Sequence, residues 1–250
     1  MIPIKTEKEI KAMKEGGKIL AGIMKELAEM VRPGINTEEL NRAAKALILK
    51  FKGRPSFLGH DGFPAAICTS LNDEVVHAIP SLKRVLKEGD ILSLDIGMEY
   101  KGFHTDMAAT FPVGRVSSEV EKLLEVTKKS LDLAIEKAKP GNTFGDIGNA
   151  IQEYVESQGF GVIRDLCSHG IGRELHEEPQ ILNYGRKGTG PRILEGMTFC
   201  LEPMVSMGSW KIRKSEDGQA YVTADGSLSC HFEHTLAVTK EENEVLTKTE

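Results

Sequence analysis

What this chain lacks narrows the field first. None of its apolar runs approaches the roughly twenty residues needed to cross a bilayer. The opening Met1-Ile2-Pro3-Ile4-Lys5 leads straight into a charged stretch with no apolar core of a secretory signal, so a cytoplasmic protein is expected. Its four cysteines, Cys68, Cys167, Cys200 and Cys230, include no CxxC pair. In a chain of 250 residues they read as reduced, mostly buried thiols rather than a disulfide framework or a zinc ribbon. No basic run dominates and the formal charge is -5, which argues against nucleic acid or an anionic membrane as the main partner.

Several catalytic signatures are also missing. His176-Glu177-Glu178-Pro179-Gln180 starts like H-E-x-x-H, but Gln180 stands where the second histidine belongs. His231-Phe232-Glu233 has the H-x-E of zinc deaminases without the P-C-x-x-C that should follow. Gly170-Ile171-Gly172 is followed by Leu175 where a dinucleotide fingerprint needs its third glycine. There is no Walker A sequence and no G-x-S-x-G elbow. Cys68 has no evident activating partner and reads as a pocket or core thiol.

What is present is a sentence written twice. Thr6 and Glu9 form a capping-box pattern, and Ile10, Met13, Gly17, Leu20, Met24, Leu27 and Val31 follow at spacings of three and four. Arg32-Pro33-Gly34 stops that helix, and Asn36-Thr37 opens a second with Leu40, Ala44, Leu47, Ile48 and Phe51 on its buried face. Ser118 with Glu121 caps a third helix, which Lys139-Pro140-Gly141 stops, and Asn142-Thr143 opens a fourth. Pro140 lies 107 residues after Pro33, and the same offset places Gly196 on Gly89 and Glu202 on Asp95. Each half is expected to run helix, helix, strand, and to end that strand on a carboxylate. Short β-rich runs follow in both halves, each just after another acid, Asp106 or Glu233. A repeat this long is not a solenoid unit. It predicts an α+β fold of two halves, approximately 1–115 and 116–250, related by a pseudo-twofold axis within one catalytic domain. No strand–helix–strand alternation lies between Asp95 and Phe111, so the central sheet is expected to be antiparallel or mixed.

The acids carry the chemistry. Asp95, Asp106, Glu202 and Glu233 all sit on or beside apolar strand-like runs with few basic residues nearby. Buried charges must be paired, neutralised or bound to a metal. Two divalent ions balance four carboxylates, and one imidazole completes such a set, so a dinuclear site is expected.

At these residues the sequence resembles type I methionine aminopeptidases. The resemblance rests on Cys68 to Pro80, on Asp95 and Asp106 eleven residues apart, and on Ser168-His169-Gly170-Ile171-Gly172. His176-Glu177-Glu178-Pro179, Glu202-Pro203-Met204-Val205 and Phe232-Glu233-His234-Thr235 extend it over essentially the whole chain. It implies the pita-bread fold and removal of N-terminal methionine from nascent polypeptides and peptides, preferably before a small second residue. It further implies that Asp95, Asp106, His169, Glu202 and Glu233 hold two divalent ions (Co, Mn, Fe, Zn or Ni), with Asp106 and Glu233 bridging. The ions would activate a water, whose pKa can fall to about 7 on binding. Glu202 would shuttle its proton, His176 would polarise the scissile carbonyl, and His77 would steer the substrate. A monomer acting on nascent chains, with transient ribosome association, is the partner expectation.

The pocket departs from the family pattern. Phe63 and Cys68 match a methionine-lining wall, but His60 stands where Tyr is frequent, Leu175 where Phe is frequent, and Gln219 where Trp is often found. Ser168 replaces a usual Gly, and His231 a common Gln. The absence of an added N-terminal module points away from the longer prolidase and Xaa-Pro aminopeptidase relatives. A related Xaa-Pro dipeptidase is the alternative enzyme, and a non-catalytic binding module of the same fold the alternative outside enzymes.

Overall fold

The computed structural model describes residues 2–216 and 218–249. The first half contains helices α1 (Glu7–Met30) and α2 (Thr37–Lys50) and strands β1 (Ile67–Leu71), β2 (Ile91–Tyr100) and β3 (Phe103–Pro112). The second contains α3 (Ser118–Lys137), α4 (Phe144–Ser157), β4 (Cys167–Gly170), β5 (Glu177–Leu182), β6 (Thr198–Leu201), β7 (Met204–Ser206), β8 (Ser229–His231), β9 (His234–Val238) and β10 (Asn243–Val245). Among the described residues every strand pairing is antiparallel, so of the two sheet types expected the antiparallel one is realised.

Helix starts follow the capping chemistry. Thr6 and Glu9 cap α1 reciprocally, and Asn36 and Glu39 do the same for α2. The apolar stripe of α1 buries Met13, Gly17, Leu20, Met24 and Leu27. Gly17 is required there, because a Cβ would stand 2.4 Å from the Leu246 carbonyl oxygen. Leu20, Leu27, Leu40 and Ile48 pack on Leu92, Leu94 and Ile96 of β2. In the second half Leu123, Leu131, Ile147 and Ile151 pack on Phe199, Leu201 and Leu236. Each helix pair thus covers the outer face of its own sheet.

The repeat is visible in individual hydrogen bonds. The Leu86 amide donates to Ile35 O at 2.8 Å, and the Ile193 amide donates to Asn142 O at 2.9 Å. Isolated bridges join Asn36 to Val85 and Thr143 to Arg192. Gly34 and Gly141, both at positive φ (92° and 95°), turn the chain between the paired helices, a conformation that glycine adopts without Cβ strain. The amides of Gly89 and Gly196 each donate at 2.9 Å, to Val113 O and Val238 O. Val113 and Val238 are 125 residues apart, against 107 for the glycines, so the second half holds 18 extra residues between its two central strands. The two halves are stitched along β3: Glu233 N donates to Ala108 O at 2.9 Å, and His231 N donates to Thr110 Oγ1 at 2.9 Å.

Four local expectations need correction. Asp95 does not end its strand but lies in the middle of β2, and Asp106 lies inside β3 rather than just before a strand. Glu202 does follow the last residue of β6, because Pro203 stands where the first half has Ile96 and removes a ladder N–H. The N-cap of α3 is Ser117 rather than Ser118, its hydroxyl accepting from Val120 N. Phe51 caps the end of α2 and is 39% exposed rather than on the buried face.

Candidate active site

The four acids and His169 come together where the halves meet. Asp95 stands on β2 between Cys68 of β1 and Ala108 of β3. Asp106 of β3 is pinned through its backbone by one hydroxyl: its amide donates to Thr235 Oγ1 at 2.9 Å, and that oxygen donates back to Asp106 O at 2.7 Å. Glu202 is held the same way: its amide donates to Ser168 Oγ at 2.9 Å, Ser168 Oγ donates to Asn183 Oδ1 at 3.1 Å, and Asn183 Nδ2 donates to Glu202 O at 3.0 Å. That is a defined task for Ser168, one of the departures seen in the sequence.

His169 presents Nε2 at 3.6 Å from Glu202 Oε1 and 4.0 Å from Glu233 Oε1. Its Nδ1 lies 2.9 Å from the Gly170 carbonyl oxygen, which can only accept. The proton therefore sits on Nδ1 and Nε2 is left as a free lone pair, the arrangement that suits a metal-ligating imidazole. His231 flanks the same two acids from the other side, with Nε2 at 3.5 Å from Glu202 Oε2 and 3.9 Å from Glu233 Oε2.

The acids are 9%, 3%, 9% and 2% exposed, in the order Asp95, Asp106, Glu202, Glu233, and no lysine or arginine pairs with them among the described residues. Burial and then repulsion from neighbouring acids push Asp95 and Glu233 well above the usual carboxylate range. Burial raises Asp106 and Glu202 to about 7. Asp95 Oδ1, Asp106 Oδ1 and Glu233 Oε1 are buried without a hydrogen-bond partner. Three clustered, unsatisfied carboxylate oxygens are a costly arrangement that divalent cations relieve. Asp95, Asp106 and Glu233 offer ligand atoms within 4.8 Å of one another, and Glu233 recurs in a second such group with His169 and Cys200. The residues present fit bound metal. The sequence did not single out Cys200; the signal lay two residues before Glu202, at an inward-facing position of β6. Burial holds its thiol well above its ordinary pKa, so it stays protonated, as does Cys68.

A cleft of about 640 Å³ opens over this cluster. Phe57, Phe63, Cys68 and Leu175 form one apolar wall, while Lys214 and Gln219 stand at the rim. His77 and His176 line the cleft and are exposed to it, and partial desolvation by the surrounding protein, with nearby histidines, lowers both to about 4. His77 is held at a positive φ of 64°, a strained conformation for a side chain with a Cβ. The His176 ring meets His169 edge-on, with centroids 4.5 Å apart, and its Nδ1 lies 3.3 Å from His60 Nε2.

Two antiparallel halves sharing a buried carboxylate–imidazole cluster beneath an open cleft define a metal-dependent hydrolase. The sequence profile of metallopeptidase family M24 matches residues 11–240, and the chain belongs to that family. A methionine aminopeptidase of Clostridium acetobutylicum is 47% identical over 247 residues, covering 99% of both chains. The crystal structure of methionine aminopeptidase from Thermotoga maritima superposes with a TM-score of 0.98 at 46% identity, covering 99% of this chain and 100% of that one. Prolidase from Pyrococcus furiosus, 23% identical with a TM-score of 0.78, shares the fold; this chain spans 66% of its length.

Proposed function

We propose that this chain, as a single catalytic domain spanning 1–250, is a methionine aminopeptidase. It removes N-terminal methionine from nascent proteins and peptides, preferably when the second residue is small. The observation that carries the reading is the complete set of Asp95, Asp106, His169, Glu202 and Glu233 at the floor of a cleft with one apolar wall. The similarity to chains named methionine aminopeptidase supports the substrate.

Two divalent ions (Co, Mn, Fe, Zn or Ni) would be held by Asp95, Asp106 and Glu233 on one side and by Asp106, Glu233, His169 and Glu202 on the other. When bound they supply Lewis acidity and lower the pKa of a water. Glu202 takes the proton of the attacking water and returns it to the leaving amine. His176 donates to the oxygen of the scissile carbonyl as charge develops there; losing one such donor costs about 2.7–4 kcal/mol. His77 contacts the scissile amide and sets the peptide's path. Phe63, Cys68 and Leu175 receive the methionine side chain, whose thioether packs well against aromatic edges. The enzyme acts as a cytoplasmic monomer on nascent chains, which brings it into transient contact with the ribosome.

The test is a matrix of Met-Ala-Ser, Met-Lys-Ser and Ala-Pro peptides against each metal. The expected result is cleavage of Met-Ala-Ser well above Met-Lys-Ser, with Ala-Pro untouched. Preferential cleavage of Ala-Pro would replace the reading with an Xaa-Pro dipeptidase.

A further inference from the structure

His60, which lies outside the proposed catalytic set, touches one member of it. Its Nε2 is 3.3 Å from Nδ1 of His176, with the rings edge-on at 68° and centroids 5.1 Å apart. Of two facing imidazole nitrogens in a hydrogen bond, one carries the proton and the other a lone pair. The surroundings choose between them. Asp61 Oδ2 lies 3.9 Å from the same Nε2 of His60, so a proton on that nitrogen faces negative charge. His60 then donates, and Nδ1 of His176 accepts. A neutral imidazole has one N–H, and its position is set by the partner of the other nitrogen. His176 is left with its proton on Nε2, the nitrogen turned away from His60.

The neighbouring imidazole is in the opposite state. His169 has its proton on Nδ1, held by Gly170 O, and its lone pair on Nε2. Two rings 4.5 Å apart are thus prepared for opposite tasks, one to ligate and one to donate. The backbone holds His60 for this. Its amide donates to Phe57 O at 3.0 Å, the Phe63 amide donates to His60 O at 2.8 Å, and the Gly59 amide donates to Phe63 O at 2.8 Å. The 57–63 turn is closed on itself, and the ring does not depend on a floppy loop for its place.

We propose that His60 is a positioning residue that locks His176 in its Nε2–H tautomer, so that His176 arrives at the substrate as a hydrogen-bond donor. This rests on the role given to His176 above. It assigns work to a residue that the sequence marks only as a departure in the pocket wall.

The test uses the zinc-loaded full chain labelled with 15N-histidine and long-range 1H–15N correlation spectra, with His176→Ala identifying the His176 signals. Expected in the unaltered chain is a protonated Nε2 and a pyridine-like Nδ1 on His176. His60→Gln, whose amide N–H reaches the same place, should keep both the tautomer and most of kcat. His60→Phe should mix the tautomers and lower kcat on Met-Ala-Ser by about tenfold to a hundredfold, the range for losing a partner that orients an imidazole. A proton on Nδ1 of His176 in the unaltered chain overturns the proposal, as does an unmixed tautomer in His60→Phe. The underlying reading fails separately: unchanged turnover in His176→Ala removes His176 from the reaction, while the spectra still report whether His60 sets its tautomer.

Discussion

The two halves share one backbone and differ in what they hang on it. In the first half Asp106 stands across the ladder from Gly97; at the equivalent place in the second half His231 stands across from Met204. Asp95 is flanked on β1 by Cys68, whereas beside Glu202 the strand β4 carries His169. Glu233 likewise has Ala108 as its counterpart. Against the buried acids the first half therefore sets no imidazole, its His77 standing in the cleft instead, and the second offers two acids with both imidazoles that face them. Pro203 marks one divergence, because where the first half has the uninterrupted β2 the second has β6 and β7, and the 18 further residues mark another, lying between β7 and β8, where Lys214 and Gln219 reach the cleft. The duplicated framework supplies placement, while the broken, enlarged copy supplies both imidazoles beside the acids and Glu202, the acid proposed to move the proton.

The largest expected effect tests that division at Glu202. Glu202→Gln should lower kcat on Met-Ala-Ser by about 10²–10⁴-fold, with the melting temperature held or raised because one buried acid is gone. Near-normal kcat would take Glu202 out of the mechanism and leave the halves chemically equal. Next is the buried Lys5–Glu177 pair, which ties the start of the chain to the strand carrying Glu177 beside His176; the side chains are 5% and 9% exposed. Lys5→Met removes the cation paired with Glu177 while its Oε1 keeps the amides of Arg173 and Glu174 at 2.7 and 3.2 Å, so the loss in denaturant unfolding should be about 3 kcal/mol, the lower end for breaking a buried pair, whereas a loss below about 1 kcal/mol would mean the pair is effectively solvated.

A third measurement concerns pH. Asp106 and Glu202 are raised to about 7 by burial, so in chelator-treated protein they remain protonated in the fold after their unfolded counterparts have ionised. Their stabilising contribution is complete below the ordinary carboxylate range and is lost as pH rises toward about 7. The melting temperature of the stripped chain, relative to stripped Glu202→Gln, should fall across that window. Added divalent metal, which binds the deprotonated acids, should reverse the trend. A flat difference would show that the acids are hydrated rather than buried. The smallest effect compares the paired caps. Asn36 Oδ1 accepts from the Glu39 amide at 3.0 Å, whereas the Thr143 hydroxyl donates to Asp146 at 2.9 Å. Asn36→Ala should cost about 1 kcal/mol and Thr143→Ala less; equal costs in thermal melts would make the two starts equivalent after all.

Much of this was legible from residue order because it depends on local chemistry. Capping boxes, helix stops and the 107-residue offset are short-range or repeated patterns, and Asp95, Asp106, His169, Glu202 and Glu233 are recognisable by type and spacing. Strand ends were less legible: Asp95 reads as a terminus because apolar residues precede it, and only the ladder shows that the strand runs on through Ile96, where the second half has Pro203. The cap of α3 was displaced by one residue because Ser117 and Ser118 are chemically alike.

By itself, then, the order of residues determined the two-half architecture and the donor types, since propensity, capping and metal affinity belong to residue identity. Tertiary structure alone decided that His231 is the counterpart of Asp106, that Ser168 holds the backbone of Glu202, and that His60 reaches His176 across 116 positions of chain. The reason is that hydrogen bonding and burial act over a few ångströms, and such distances between residues far apart in the chain exist only once both cores have packed.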